Sequence, residues 1–204
     1  MTIRVALHHE TEYRYDRPID LGPQVVRLRP AFHGRTPIDA YSLTVSPEDH
    51  FLNWQQDPVG NPVARLVFPN PATHFKVAVD LIADMTVINP FDCFSEERQD
   101  CWPFDYDPEL GQRLSPYLSC GPRSALLDQW LASLPTQADR FVDFLVAVNQ
   151  MLFSRVEYLV RMEPGVQTPE ETLEIGSGSC RDSAWLMVET FRQIGVAARF
   201  VSGY

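Results

Sequence analysis

Residues 176–185 read G-S-G-S-C-R-D-S-A-W, and their pattern of glycine, serine and cysteine is the most informative in the sequence. Upstream of this stretch, Thr168, Pro169 and Glu171 carry the signals of a helix start. They supply an N-cap hydroxyl, a proline at the first helical position and the acidic residue of a capping box. We predict that this short helix ends at Gly176 and that the next helix begins at the cysteine of the stretch.

The second helix is marked by apolar residues three to four positions apart, and Gly195 is its predicted end. Residues 196–201 are rich in small and β-branched side chains, and we predict that they form a strand. The apolar positions of the helix are Ala184, Met187, Val188, Phe191 and Ile194.

Cys180 is thereby placed at a helix N-terminus, where unpaired backbone N–H groups and the helix dipole favour an anion. Positions of this kind lower the pKa of a thiol and make the thiolate nucleophile available near neutral pH. Two interpretations of Cys180 stay open on this ground alone. It is either a catalytic nucleophile or a small buried hydrophobic residue, because a nucleophile also needs a base and an orienting group.

Residues 168–204 resemble the core of the transglutaminase-like superfamily of bacterial thiol enzymes. The matching pattern is T-P-x-E-x-L from residue 168, G-x-C-R-D-x-A from residue 178 and G-V-x-A-R-x-V-x-G-Y from residue 195. The resemblance implies that Cys180 is the catalytic nucleophile. It also implies a triad completed downstream by a His and an Asp. Because the chain stops at Tyr204 before either residue, we expect it to be a fragment of a longer protein.

Residues 1–88 are predicted to form an antiparallel β-sandwich, because short strands alternate with turn signals. This region resembles the domain that precedes bacterial transglutaminase-like cores, through H-x-T-x-Y-x-Y from residue 9, R-L-x-P from residue 27 and D-x-x-G-N from residue 57. His9, Tyr13 and Tyr15 either pack on neighbouring strands or form a binding face. The predicted strands begin at Ile3 and include residues 25–29, 40–45, 51–55, 64–68, 74–83 and 85–88.

Residues 89–121 form a connector rich in proline and aromatic residues. The prolines exclude long helices, and the aromatic residues argue against a free linker. We therefore expect this connector to be ordered and to pack across both domains. Residues 122–204 open the truncated core with a helix over 122–134 and a second helix capped by Thr136. The resulting fold class is α+β, a β-sandwich followed by the helical front part of a papain-like, transglutaminase-like core.

Composition and charge exclude several classes of function. The formal net charge is −10 without a basic cluster, which argues against nucleic acid or an anionic membrane as a partner. No signal peptide or long apolar run is present, so we expect a cytoplasmic protein. We expect neither a cofactor nor a metal, because the sequence lacks a phosphate-binding loop, a carboxylate pair and a C-x-x-C pair. The cysteines are Cys93, Cys101, Cys120 and Cys180.

Several side chains near the nucleophile have two interpretations. Asp182 either tunes the electric field at the thiol or compensates the helix dipole. Tyr158 either packs in the core or, as the resemblance implies, lies near the active-site cleft. Trp185 is expected to pack between its helix and the sheet. All five histidines lie in the predicted β region, and we do not expect any of them to serve Cys180.

The resemblance implies acyl transfer from a peptide or protein amide through a thioester at Cys180. The acceptor would be water, as in a cysteine peptidase or amidase, or an amine, as in a transglutaminase. The parent protein would be the active enzyme, and this chain alone would be inactive. The alternative is a non-catalytic interaction module with a vestigial cysteine. An open edge in the truncated core would also favour a homo-oligomer.

Overall fold

The computed structural model describes residues 2–32, 34–89 and 100–203. The chain forms two compact units, Met1–Pro90 and Phe91–Tyr204. Strands make up the regular structure described in the first unit, whereas helices dominate the second. The predicted α+β fold class is therefore confirmed.

The described strands of the first unit form two antiparallel sheets, each of three strands. One sheet has the strand order β1-β6-β3, and the other has the order β2-β5-β4. The strands are β1 Thr2–Ile19, β2 Gln24–Val26, β3 Ile38–Ser46, β4 Phe51–Gln56, β5 Pro62–Val67 and β6 Ala72–Thr86.

The two sheets share an apolar core, which makes the first unit a sandwich. Leu66 of β5 is fully buried and belongs to the same cluster as Val45 of β3 and Phe75 of β6. Tyr13 stacks on Phe75, its partner across the strands, with ring centroids 6.2 Å apart. Tyr15 packs against this core, which supports the packing interpretation for Tyr15, whereas Tyr13 is 53% exposed.

Strand β6 corrects one detail of the sequence analysis. We predicted two strands, over residues 74–83 and 85–88, whereas the structure has one strand, Ala72–Thr86. Its pairing with β1 runs without interruption from Thr86 back to His74. Asp84 does not break the strand because it pairs with Arg4 in the same ladder.

The described part of the second unit consists of helices and one small sheet. Helices α1 and α2 are short, as the prolines of the connector predict. The helices pack around a buried apolar cluster that contains Leu127, Trp130, Phe144, Val148, Leu173 and Leu186. The elements are α1 Pro108–Arg113, α2 Ser115–Leu118, α3 Ala125–Ala132, α4 Phe141–Arg155, β7 Glu157–Tyr158, α5 Pro169–Ile175, β8 Ser177–Gly178 and α6 Cys180–Gln193.

The described part of the connector packs on this helical unit. Trp102 stacks on Phe144 with ring centroids 4.3 Å apart. Phe104 meets Phe141 edge to face at 4.9 Å. Residues 90–99 lie outside the described residues, so packing of the connector across both units stays a prediction.

The predicted starts of α3 and α4 were wrong, α3 because a local cap lies two residues further on and α4 because a backbone pairing with a distant segment holds the chain extended. Helix α3 begins at Ala125 behind the cap Ser124 rather than at residue 122. Helix α4 begins at Phe141, and Thr136 does not cap it. The N–H of Phe141 donates to the carbonyl of Asp100 at 2.6 Å, in line with the backbone pairing between Trp102 and Ala138. This pairing holds the chain extended just before α4.

Residues 196–201 do not form a strand, which corrects a further prediction. No described segment pairs with them as a ladder. The N–H groups of residues 196–198 bond instead to a carbonyl of α6, a phenol oxygen and a carbonyl of α2. These acceptors belong to Phe191, Tyr106 and Tyr117, at 2.8, 3.0 and 2.9 Å.

The longest described helix, α4, has 15 residues. None of the helices in the described ranges combines the length and apolarity that crossing a membrane requires.

Candidate active site around Cys180

Helix α5, Pro169–Ile175, leads the chain into the site with the predicted capping box. The hydroxyl oxygen of Thr168 accepts from the N–H of Glu171 at 3.2 Å, and the Glu171 carboxylate accepts from the N–H of Thr168 at 2.7 Å. Gly176 ends the helix with a φ of 71°, a left-handed conformation that glycine adopts readily. The sequence therefore predicted both ends of this helix.

Cys180 is the first residue of α6, and its side chain is exposed. Ser179, directly before it, is the buried N-cap residue. At this position the N–H groups of Cys180 and Arg181 precede the first intrahelical hydrogen bond, from Ser183 to the carbonyl of Ser179 at 3.1 Å. The structure places the thiol at the helix N-terminus, and its exposure contradicts the interpretation as a buried hydrophobic residue.

A small parallel sheet fixes the loop in front of Cys180. Strands β7 and β8 pair so that Tyr158 lies opposite Gly178. The N–H of Glu157 donates to the carbonyl of Gly176 at 2.8 Å, and the N–H of Leu159 donates to the carbonyl of Gly178 at 3.0 Å. Strands of two residues have no periodicity, so the pairing of β7 with β8 could not be predicted from the sequence.

Asp182 is fully buried, and its carboxylate holds the turn that leads into α6. The N–H and the hydroxyl of Ser179 donate to Oδ2 at 2.8 and 2.7 Å. The N–H of Gln167 donates to Oδ1 at 2.8 Å. The guanidinium of Arg161 binds both oxygens, with Nε 3.0 Å from Oδ2 and Nη2 3.2 Å from Oδ1. Asp182 is therefore a buried anchor, a role that neither of its sequence interpretations contained.

The electrostatics of this pair favour the ionised carboxylate. Burial by itself raises the pKa of Asp182, but the hydrogen bonds from Arg161, Gln167 and Ser179 outweigh burial and hold the pKa well below its ordinary value. The hydrogen bond to Asp182 in turn raises the pKa of Arg161. The Arg161 side chain is 15% exposed and also donates to the carbonyl of Gly165 at 2.9 Å.

The far end of α6 is held by a second group of polar contacts. The carboxylate of Glu189 is buried and accepts from the N–H of Gly121 at 2.8 Å. Arg192 donates to the carbonyl of Ala198 at 3.0 Å and to that of Ser119 at 2.9 Å. Both ends of α6 are therefore held by polar contacts. These contacts fix the helix, and with it the position of Cys180 at its first residue.

The remaining predicted residues occupy different environments. Tyr158 is 65% exposed, so its interpretation as a core residue was wrong, and it lies on β7, which pairs with β8 in front of Cys180. Trp185 is only half-buried and lies under the Arg192 guanidinium at 5.8 Å rather than in the buried core. Cys101 and Cys120 are exposed and free like Cys180, whereas Cys93 is outside the described residues.

The described residues contain no group of three or more His, Cys, Asp or Glu side chains that is placed to hold a metal ion. The sequence has histidines only at positions 8, 9, 33, 50 and 74, all within the first unit. Residues 91–204 therefore contain a candidate thiol nucleophile without a histidine partner.

The second unit thus carries an exposed cysteine at the start of a helix. Residues 5–84 match the family model of the bacterial transglutaminase-like N-terminal region, and residues 129–204 match the model of the transglutaminase-like superfamily. The chain thus belongs to the bacterial transglutaminase-like superfamily.

One solved structure supports the same fold. The chain is similar to a candidate cysteine protease from Cytophaga hutchinsonii, with a TM-score of 0.66 and 17% sequence identity. The match covers 95% of this chain and 64% of the other protein. At this identity the likeness concerns the fold. The comparison with curated proteins found no match.

Proposed function

We propose that Cys180 is the nucleophile of an acyl-transfer enzyme that acts on peptide or protein amides. The observation that carries this proposal is the exposed thiol at the first position of α6, on a turn held by the buried carboxylate of Asp182. An exposed cysteine in a fixed turn at a helix N-terminus has the access and the electrostatic environment that a nucleophile needs.

The proposed reaction begins when the Cys180 thiolate attacks the carbonyl carbon of the amide. The N–H groups at the start of α6 are candidates to stabilise the oxyanion, because they lack intrahelical acceptors. The carbon–nitrogen bond then breaks, and the amine takes up a proton and leaves a thioester on Cys180. Water or a second amine attacks this thioester, gives up a proton, and releases the thiol with a carboxylic acid or a new amide.

Amide cleavage also needs a general acid and base, and a histidine commonly fills both roles. Residues 91–204 contain no histidine. We therefore propose that the acid–base group lies outside residues 91–204, and we expect the 204-residue chain not to turn over amides. Loss of this help typically lowers a rate by a factor of about 10²–10⁴.

An activated aryl ester tests the nucleophile independently of the acid–base group. Its nitrophenolate leaves without taking up a proton, so acylation of Cys180 needs no general acid. We expect the chain to release one equivalent of nitrophenolate and to carry the acyl group on Cys180, as shown by peptide mass mapping. A peptide amide should stay intact under the same conditions. Cys180→Ala should abolish the burst, whereas Cys120→Ala, which removes another exposed thiol, should retain it.

Absence of acyl-Cys180 would contradict the proposal and favour an interaction module with a vestigial cysteine. Adding a primary amine to the acylated chain then distinguishes the two acceptors. Hydrolysis in the presence of the amine favours a peptidase or amidase, and formation of a new amide favours a transglutaminase.

A further inference from the structure

We infer that Arg161 is a positioning residue for Cys180, acting through its ion pair with Asp182. The inference rests on the proposed role of Cys180 as nucleophile. It assigns to Arg161 the task of fixing the turn that presents the thiol, without any contact between Arg161 and a substrate.

Separate segments of the chain converge on one carboxylate, that of Asp182. Arg161 follows β7, Gln167 precedes α5, and Ser179 caps α6, and all of them donate to Asp182. The carboxylate therefore ties together segments that surround the nucleophile loop. Ser179 directly precedes Cys180 and Asp182 lies two residues after it, so the anchored atoms bracket the thiol on both sides.

The guanidinium of Arg161 contacts this carboxylate with a two-pronged geometry. Arg161 binds both oxygens of Asp182 through Nε and Nη2. A planar guanidinium that binds both oxygens fixes the orientation of the carboxylate, whereas a lysine ammonium acts as a point charge and does not. The orientation matters because Oδ2 also accepts from Ser179 and Oδ1 accepts from Gln167. Rotation of the carboxylate would break the bonds that hold the N-cap of α6.

The ion pair between Arg161 and Asp182 is largely buried. Asp182 is fully buried, and the Arg161 side chain is 15% exposed. A buried carboxylate that loses its charged partner either takes up a proton or moves toward water. In both cases the hydrogen bond to the Ser179 N–H weakens, and the first turn of α6 loosens around Cys180. The effect of Arg161 on the thiol is therefore transmitted through the backbone of the turn.

The test measures the rate at which iodoacetamide alkylates Cys180 in Arg161→Lys and Arg161→Met, with the rate at Cys120 as an internal reference. Arg161→Lys keeps the positive charge and loses the fork, so it tests the inference if Arg161→Met fails to fold. Arg155→Lys is the matched control, because Arg155 donates to the carbonyl of Leu173 at 2.9 Å rather than to Asp182. Circular dichroism first establishes that each variant is folded.

We expect the rate at Cys180 to fall about three- to tenfold at pH 6 in the Arg161 variants, the range that a helix N-terminal interaction supports. The midpoint of the rate–pH profile should move to higher pH, which a loss of stability alone would not cause in folded protein. Unchanged rate and midpoint in folded Arg161→Lys would overturn the inference. If Cys180 of the wild-type chain reacts no faster than Cys120, the proposed nucleophile itself fails, so the two failures are distinguishable.

Discussion

Gly178 lies directly against the side chain of Asp182, and a Cβ atom at position 178 would stand 2.9 Å from the Asp182 Cβ. The same atom would stand 3.0 Å from Oε1 of Gln167. Neither neighbour is free to move aside, because the Asp182 carboxylate is held by Ser179 and Oε1 of Gln167 accepts from the hydroxyl of Thr172. Glycine at position 178 is thus required by the packing of the anchor.

Gly178→Ala should therefore destabilise the second unit by about 1–3 kcal/mol, the typical cost of overpacking a tight site. It should also slow alkylation of Cys180. Gly111→Ala is the matched control, since its added Cβ would meet its nearest neighbour, Tyr106, at an ordinary 3.7 Å. Urea unfolding measures both variants, and equal stability of the two would contradict the packing argument.

The depressed pKa of Asp182 predicts a stability loss in acid. An Asp in an unfolded chain titrates near pH 4, whereas Asp182 stays ionised to lower pH in the folded protein. Its contribution is therefore present above about pH 4 and is lost as the pH falls further. The limiting slope is about 1.4 kcal/mol for each pH unit. The stability gap between the wild type and Asp182→Asn should narrow accordingly between pH 6 and pH 2.5.

Tryptophan fluorescence in a Trp54→Phe background reports this unfolding, because the other three tryptophans lie in the second unit. Thr190→Val is the control, since it removes the buried hydrogen bond from Trp130 at 2.9 Å without removing an ionisable group. Its gap to the wild type should stay constant with pH. If the stability difference between the wild type and Asp182→Asn also stays constant with pH, the Asp182 carboxylate is not the group that causes the loss of stability in acid.

The contacts of Trp102 indicate that residues 100–121 of the connector are part of the folded second unit. Its ring stacks on Phe144, and its indole N–H donates to the carbonyl of Pro135 at 3.2 Å. Trp102→Ala should cost about 3 kcal/mol of unfolding free energy and make residues 100–121 sensitive to chymotrypsin. Phe153→Ala, at an 81% exposed aromatic residue of α4, should change stability by less than about 0.5 kcal/mol. Rapid cleavage of residues 100–121 in the wild type would contradict this prediction.

Local signals in the sequence predicted the elements that depend on neighbouring residues. The cap at Thr168 and the left-handed glycines Gly176 and Gly195 mark helix ends within a few residues. The alternation of apolar residues likewise predicted the sandwich, because a strand with one buried face repeats every two residues. The start of α6 at Cys180 followed from the same kind of local evidence.

Contacts between distant residues were not predictable in this way. Arg161 and Asp182 are 21 positions apart, and no periodicity connects them. Part of the anchor did have a signal, since Ser179 and Asp182 have the S-x-x-D spacing of a capping box. Threonine is a favoured residue type at helix N-caps, so Thr136 was a reasonable candidate. The backbone pairing of Trp102 with Ala138 instead decides where α4 begins.

Competitive alkylation of the wild-type chain with iodoacetamide at pH 6 tests whether Cys180 is the most reactive thiol. Cys101, Cys120 and Cys180 are all exposed and free, so differences in rate report their chemical environment rather than access of the reagent. Peptide mass mapping should show Cys180 modified fastest, by at least about threefold. Faster modification of Cys93, Cys101 or Cys120 would contradict the account.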